Sequence, residues 1–191
     1  MNTRRYVQVL IAAAAVTALT GCVGPAIDPQ GEPRVAGDVW TETTSGSAPA
    51  AGSCMVAEDG DALLPDAKCT PGAITSAISA ADTSPVCLSS NAEEPAVDEG
   101  AARSVLAAYG IDETDAAKYT IDYLIPRSLG GANDFANLWP LPSDDPVTAR
   151  KDQMDISVAD AVCNGRAGIQ AAQFVMGNDW PRALNTLGLK K

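Results

Sequence analysis

Side chains able to do chemistry gather in one stretch of this 191-residue chain. Asp122 and Tyr123 stand side by side. A Gly130-Gly131 pair follows, then Asn137, then Lys151-Asp152. The chain has no histidine, so the stretch lacks the side chain that ordinarily titrates near neutral pH. Tyrosine has a reference pKa of about 10, and using it as a base at pH 7 costs about 4 kcal/mol. Each residue also has a structural reading. Tyr123 is a half-buried strand aromatic, and Asp122 caps a turn or pairs with Arg127. Asn137 satisfies loop backbone, Asp152 is a solvated helix residue, and Trp139 is core.

The elements that must position these residues follow from pattern and punctuation. Tyr119 to Ile125 alternates, is rich in β-branched and aromatic residues, and stops at Pro126, which predicts a strand. Gly130-Gly131 is a turn. Asn137-Leu-Trp139 is a short second strand, stopped by Pro140 and Pro142. Val147 to Cys163 is a helix, capped by Asp144 or Asp145, with Met154, Val158, Ala161 and Val162 inward. Val97 to Tyr109 is a helix with Asp98 and Glu99 in its first turn and Gly110 at its end. Ile169 to Met176 is another. Residues 54–97 are loop-rich, with Pro65, Pro71, Pro85 and Pro95 as punctuation and Ile74 to Ile78 as a short helix or strand. The fold class expected is α+β.

The opening of the chain reads as an export signal. Arg4 and Arg5 precede an apolar run from Val7 to Leu19, then Thr20, Gly21 and Cys22. That is the order basic, apolar, small. The run has 13 residues, short of the roughly 20 a spanning helix needs. Residues 23–52 are rich in Gly, Pro, Ser, Thr and Ala and predict a tether, with Trp40 as its one large apolar residue. This gives three parts: a signal segment 1–21, Cys22 with a flexible linker to residue 53, and a domain over 54–191. The domain holds Cys54, Cys69, Cys87 and Cys163. In an exported chain four cysteines imply two disulfides, with three connectivities open. A zinc site is disfavoured by the lack of a CxxC pair and of histidine. The domain carries 20 acidic and 10 basic side chains. Such a field repels nucleic acid, whose binding rests largely on phosphate neutralisation.

Two resemblances add to this. Leu19-Thr20-Gly21-Cys22 resembles the lipobox of bacterial lipoproteins. It implies a diacylglycerol thioether on Cys22 and acyl anchoring at the extracytoplasmic face of the cell membrane. More than one acyl chain is what makes such an anchor stable.

The stretch Ile121-Asp-Tyr-Leu-Ile-Pro-Arg-Ser-Leu-Gly-Gly131, Asn137-Leu-Trp-Pro140 and Lys151-Asp152 resembles the HNH (ββα-metal) endonucleases. The likeness is to small secreted members with a DHLIPLxLGG and NLWP pattern, and it covers residues 119–163. It implies a ββα-metal core with additional helices and a disulfide-stapled irregular N-terminal part. It also implies a divalent metal, Mg, Mn or Zn, held by Asp122 and, on the helix, Asp152. Asn137 would be the motif asparagine, and Gly130 and Gly131 would shape the turn. Tyr123 stands where the family has its general-base histidine. Losing such a base typically costs about 10²–10⁴ in rate. The expectation is therefore a membrane-anchored, catalytically impaired HNH-like lipoprotein, a pseudoenzyme that binds an envelope ligand or protein. The alternative is an active metal-dependent extracellular nuclease.

Overall fold

The computed structural model describes residues 34–36, 44–75, 87 and 97–189. The signal segment 1–21, Cys22, Trp40, Ile78, Pro85 and Pro95 lie outside the described residues. No helix among the described residues is long and apolar enough to cross a membrane. Small sheets and helices mix in an α+β arrangement.

Short strands come first: β1 (Arg34–Ala36), β2 (Ala57–Asp59), β3 (Ala62–Leu64) and β4 (Ala73–Thr75). β1 runs parallel to β4, and β2 and β3 make an antiparallel hairpin. Gly60, at φ 65°, turns that hairpin, a conformation glycine adopts without a Cβ clash. Such short strands bury little of their own. The Cys54–Cys69 disulfide closes the loop around them. The Trp180 indole donates to the Leu63 carbonyl at 2.9 Å, and Arg182 reaches the Asp59 carboxylate.

Residues 44–53, which composition assigns to the linker, hydrogen-bond to the rest. Ser45 donates its N–H to the Asn133 carbonyl, and Phe135 donates back to the Ser45 carbonyl. The Ser45 hydroxyl donates to Asp134 at 2.8 Å. Gly52 donates to the Ala107 carbonyl. This segment docks through backbone and hydroxyl groups and needs no apolar stripe, so a composition rule does not register it.

α1 (Glu99–Ala108) lies within the predicted helix. Asp98 is its N-cap, accepting from Ala101 N–H, so the acidic residue precedes the helix rather than filling its first turn. Gly110, at φ 70°, follows its end.

β5 (Tyr119–Tyr123) and β6 (Leu138–Pro142) pair antiparallel, with Asp122 opposite Trp139 and Tyr123 opposite Leu138. β6 runs on through Pro140 and Pro142, which the sequence reading takes as stops. Both prolines occupy the alternate positions whose N–H would point away from β5, where the ladder needs no donor. Leu138 belongs to the same set, and its carbonyl accepts from Thr70 instead of from β5.

α2 (Pro146–Cys163) begins with Asp145 as N-cap, accepting from Val147 N–H, and with proline in its first turn, where a missing N–H costs nothing. α3 (Ile169–Asp179) extends one turn past its predicted end, and α4 (Ala183–Thr186) follows a Trp180–Arg182 turn. Leu124, Ile125, Leu129, Trp139, Val158, Val162, Met176 and Trp180 form the main core. The second disulfide, Cys87–Cys163, fastens the end of α2.

Candidate functional site

β5 and β6 present two faces, because successive side chains on a strand alternate. Asp122 and its cross-strand neighbour Trp139 share the face under α2. The Trp139 Nε1–H donates to Asp122 Oδ2 at 2.9 Å. α2 lays Lys151 over this pair. Lys151 is fully buried, and its Nζ lies 3.1 Å from Asp122 Oδ2. The same ammonium donates to Asp155 Oδ1 and Oδ2 at 2.9 and 2.8 Å and to the Tyr123 carbonyl at 3.0 Å.

Two carboxylates thus flank one ammonium, with their side chains only 11 % and 14 % exposed. Burial pushes the Asp122 carboxyl above its ordinary range. The Lys151 ammonium and the hydrogen bonds from Lys151 and Trp139 pull it back in part, and the Asp152 charge adds to the upward push. Burial of Lys151 pulls the ammonium down, but Asp122 and Asp155 more than offset this and hold it above an ordinary lysine. A buried lysine stays charged only when it is paired and hydrogen-bonded in this way.

Tyr123 lies on the other face. Its side chain is 3 % exposed and packs with Val105 of α1 and with Leu138. The Arg127 guanidinium stands 5.8 Å from the centroid of its ring. Asp122 pairs with Lys151, so the expected partner Arg127 instead lies by the tyrosine ring. On this side α1 and β5 also border an open groove of about 450 Å³, lined by Val97, Leu106, Tyr119 and Ile121 with Glu99 and Arg103 at its rim.

Asn137 is completely buried and ties the β5–β6 connection together. Its Oδ1 accepts from Ile125 N–H at 2.9 Å, and its Nδ2 donates to the Ile125 and Ala132 carbonyls. Gly131 explains why this knot needs glycine: a Cβ there would lie 1.7 Å from the Ile125 oxygen. Gly130 sits at φ 79°, the left-handed region. Asp152 is exposed on the outer side of α2.

Asp152 therefore bears on Asp122 only as a nearby charge, whereas Tyr123 and Asn137 serve the opposite face and the connecting loop. No motif in the sequence gives a role to Lys151, around which the charged face is built. A signal for it exists: Lys151 is four residues after Val147 and seven before Val158, squarely on the inward stripe of α2. Among the described residues no group of three or more Asp, Glu, Cys or His side chains is arranged to hold a metal ion. The chain matches no protein-family model, no curated protein and no solved structure.

Proposed function

We propose that this chain is a lipid-anchored envelope protein whose domain is a degenerate ββα-metal (HNH-like) unit, acting by binding rather than by cutting phosphodiesters. The order β5, β6, α2 around a Gly-Gly turn supports the HNH-like reading, and the lipobox-like Leu19-Thr20-Gly21-Cys22 supports the anchor. The observation that carries the loss of catalysis is the Asp122–Lys151 ion pair.

An HNH-like site would need Asp122 to face a metal ion. Here the carboxylate already accepts from Trp139 and is paired with an internal ammonium. Bringing a divalent ion to Asp122 sets two cations against each other across a few ångströms of low-dielectric interior, a steep Coulombic penalty. The residues present do not fit the metal. Tyr123 does not supply the missing base either, since its side chain is packed against Val105 and Leu138. The acidic domain adds an unfavourable field for a polyanion.

The test incubates the chain with plasmid DNA and RNA across Mg²⁺, Mn²⁺, Zn²⁺ and Ni²⁺, beside Tyr123→His and Asp122→Ala. The expected outcome is no cleavage above background by the native chain. Metal-dependent cleavage abolished by Asp122→Ala would make the protein an extracellular nuclease instead. The anchor is tested separately: Cys22→Ser should move the protein from the membrane fraction to the soluble one. An unchanged distribution would remove the lipidated cysteine from the reading.

A further inference from the structure

We propose that Lys151 is a built-in cation, its ammonium filling a buried oxygen cage that takes a divalent metal ion once the lysine side chain is removed. Four oxygens converge on Nζ: both oxygens of Asp155 at 2.9 and 2.8 Å, the Tyr123 carbonyl at 3.0 Å and Asp122 Oδ2 at 3.1 Å. They come from three origins, the β5 side chain, the β5 backbone and the next turn of α2.

A two-oxygen carboxylate, a second carboxylate and a backbone carbonyl are the donor types that hard cations such as Ca²⁺ and Mg²⁺ take. An ammonium satisfies the same oxygens by hydrogen bonding and carries one positive charge against two negative ones. Because it is delivered by the helix itself, it neither leaves nor competes with ions in solution. The proposal stands on this geometry alone and is independent of the anchor and of whatever the domain binds.

The cage makes a specific claim about truncation. Lys151→Ala removes every atom beyond Cβ and leaves room with two unneutralised carboxylates. Lys151→Met removes the charge but keeps the space filled. Trp139 is hydrogen-bonded to Asp122, so Tb³⁺ held in the cage would be excited through the indole.

The experiment titrates the wild-type chain, Lys151→Ala, Lys151→Met and the double variant Lys151→Ala/Asp122→Asn with Tb³⁺ and with Mn²⁺. It reads sensitised emission and Tm. Lys151→Ala is expected to show saturable emission, competed by Mn²⁺, with an affinity at least about tenfold above that of the wild-type chain and a Tm that rises with the ion. The wild-type chain, Lys151→Met and the double variant are expected to show only the weak, unsaturable response of an acidic surface. If neither ion gives Lys151→Ala saturable emission or a higher Tm than ion-free buffer, the proposal is overturned, whether or not the ion-free variant is folded. Equal binding by Lys151→Met would overturn it too, because that cage is full.

Discussion

The two faces of the β5–β6 pair are built from adjacent residues and obey different physics. Under α2, Asp122, Trp139, Lys151 and Asp155 form a buried charged cluster with directional bonds. Under α1, Tyr123 and Leu138 pack on Val105. One face depends on charge balance and hence on protonation; the other depends on area and volume. A motif that reads as one site along the sequence is divided by the pleat into two environments. Asp122 and Tyr123 are neighbours in the chain and yet belong to opposite sides of the sheet.

The joint between the faces gives the largest expected effect. Gly131→Ala places a Cβ 1.7 Å from the Ile125 oxygen and 2.9 Å from Asn137 Nδ2. Relief requires the loop to move and the Asn137 bonds to break. The expected cost is at least about 3 kcal/mol, in the class of strain plus a broken buried network. Urea unfolding measures it. A midpoint indistinguishable from wild type would mean that the loop yields freely, and both faces would lose their common support.

Charge balance on the α2 face predicts an asymmetry. Two carboxylates share one ammonium, so replacing Asp122 by its neutral isostere leaves a matched Lys151–Asp155 pair. Losing the ammonium strands two charges, and breaking a buried pair from one side typically costs about 3–5 kcal/mol. Asp122→Asn should therefore cost less than about 1.5 kcal/mol at pH 7, because an amide keeps one acceptor for Trp139. The sign with pH follows from the raised Asp122 carboxyl. Its protonated form is favoured by folding, so its contribution to stability falls as pH rises from the ordinary carboxylate range through its folded value. Wild type should gain on Asp122→Asn as the pH is lowered through that window. A stability difference that stays flat from pH 4 to pH 8 would show that the Asp122 carboxyl binds protons alike in the folded and unfolded states, with no upward shift.

How much of this is legible in the sequence depends on the kind of signal. The β5 strand, the Gly130-Gly131 turn, α1, α2 and the Asp145 cap follow from periodicity, glycine and capping chemistry, which are local. The two disulfides follow from cysteine count and export context, but their pairing, Cys54–Cys69 and Cys87–Cys163, is set by the tertiary fold. β6 passes two prolines because only one edge of a two-stranded pair needs donors, which no local rule states. The docking of Ser45 on the Asn133–Asp134 loop rests on non-local hydrogen bonds. Lys151 is hard to read from sequence for a different reason. A charged residue on an inward stripe looks like an error in the pattern until its partners are known, and those partners are 29 residues before it in β5 and one helical turn after it.

The α1 face should answer to a different pH range, and more weakly. Tyr109 packs against the Val105–Tyr123–Leu138 cluster, and its hydroxyl lies 2.8 Å from Thr70 Oγ1. Thr70 has one proton and donates it to the Leu138 carbonyl at 2.9 Å, so Tyr109 is the donor to Thr70. Burial pushes the phenol up to about 12. The folded state therefore keeps its proton where the unfolded chain, near pH 10, has lost it. By linkage the unfolded state binds fewer protons over that interval, and stability falls as pH rises from about 10 to 12. Tyr109→Phe cannot ionise and should lose less stability than wild type over the same range, while being slightly weaker at pH 8 for want of the Thr70 bond. Alkaline unfolding curves of the two proteins, with phenolate absorbance followed in parallel, test this. Identical alkaline limbs would place Tyr109 in contact with solvent, and the face under α1 would no longer be the dry one.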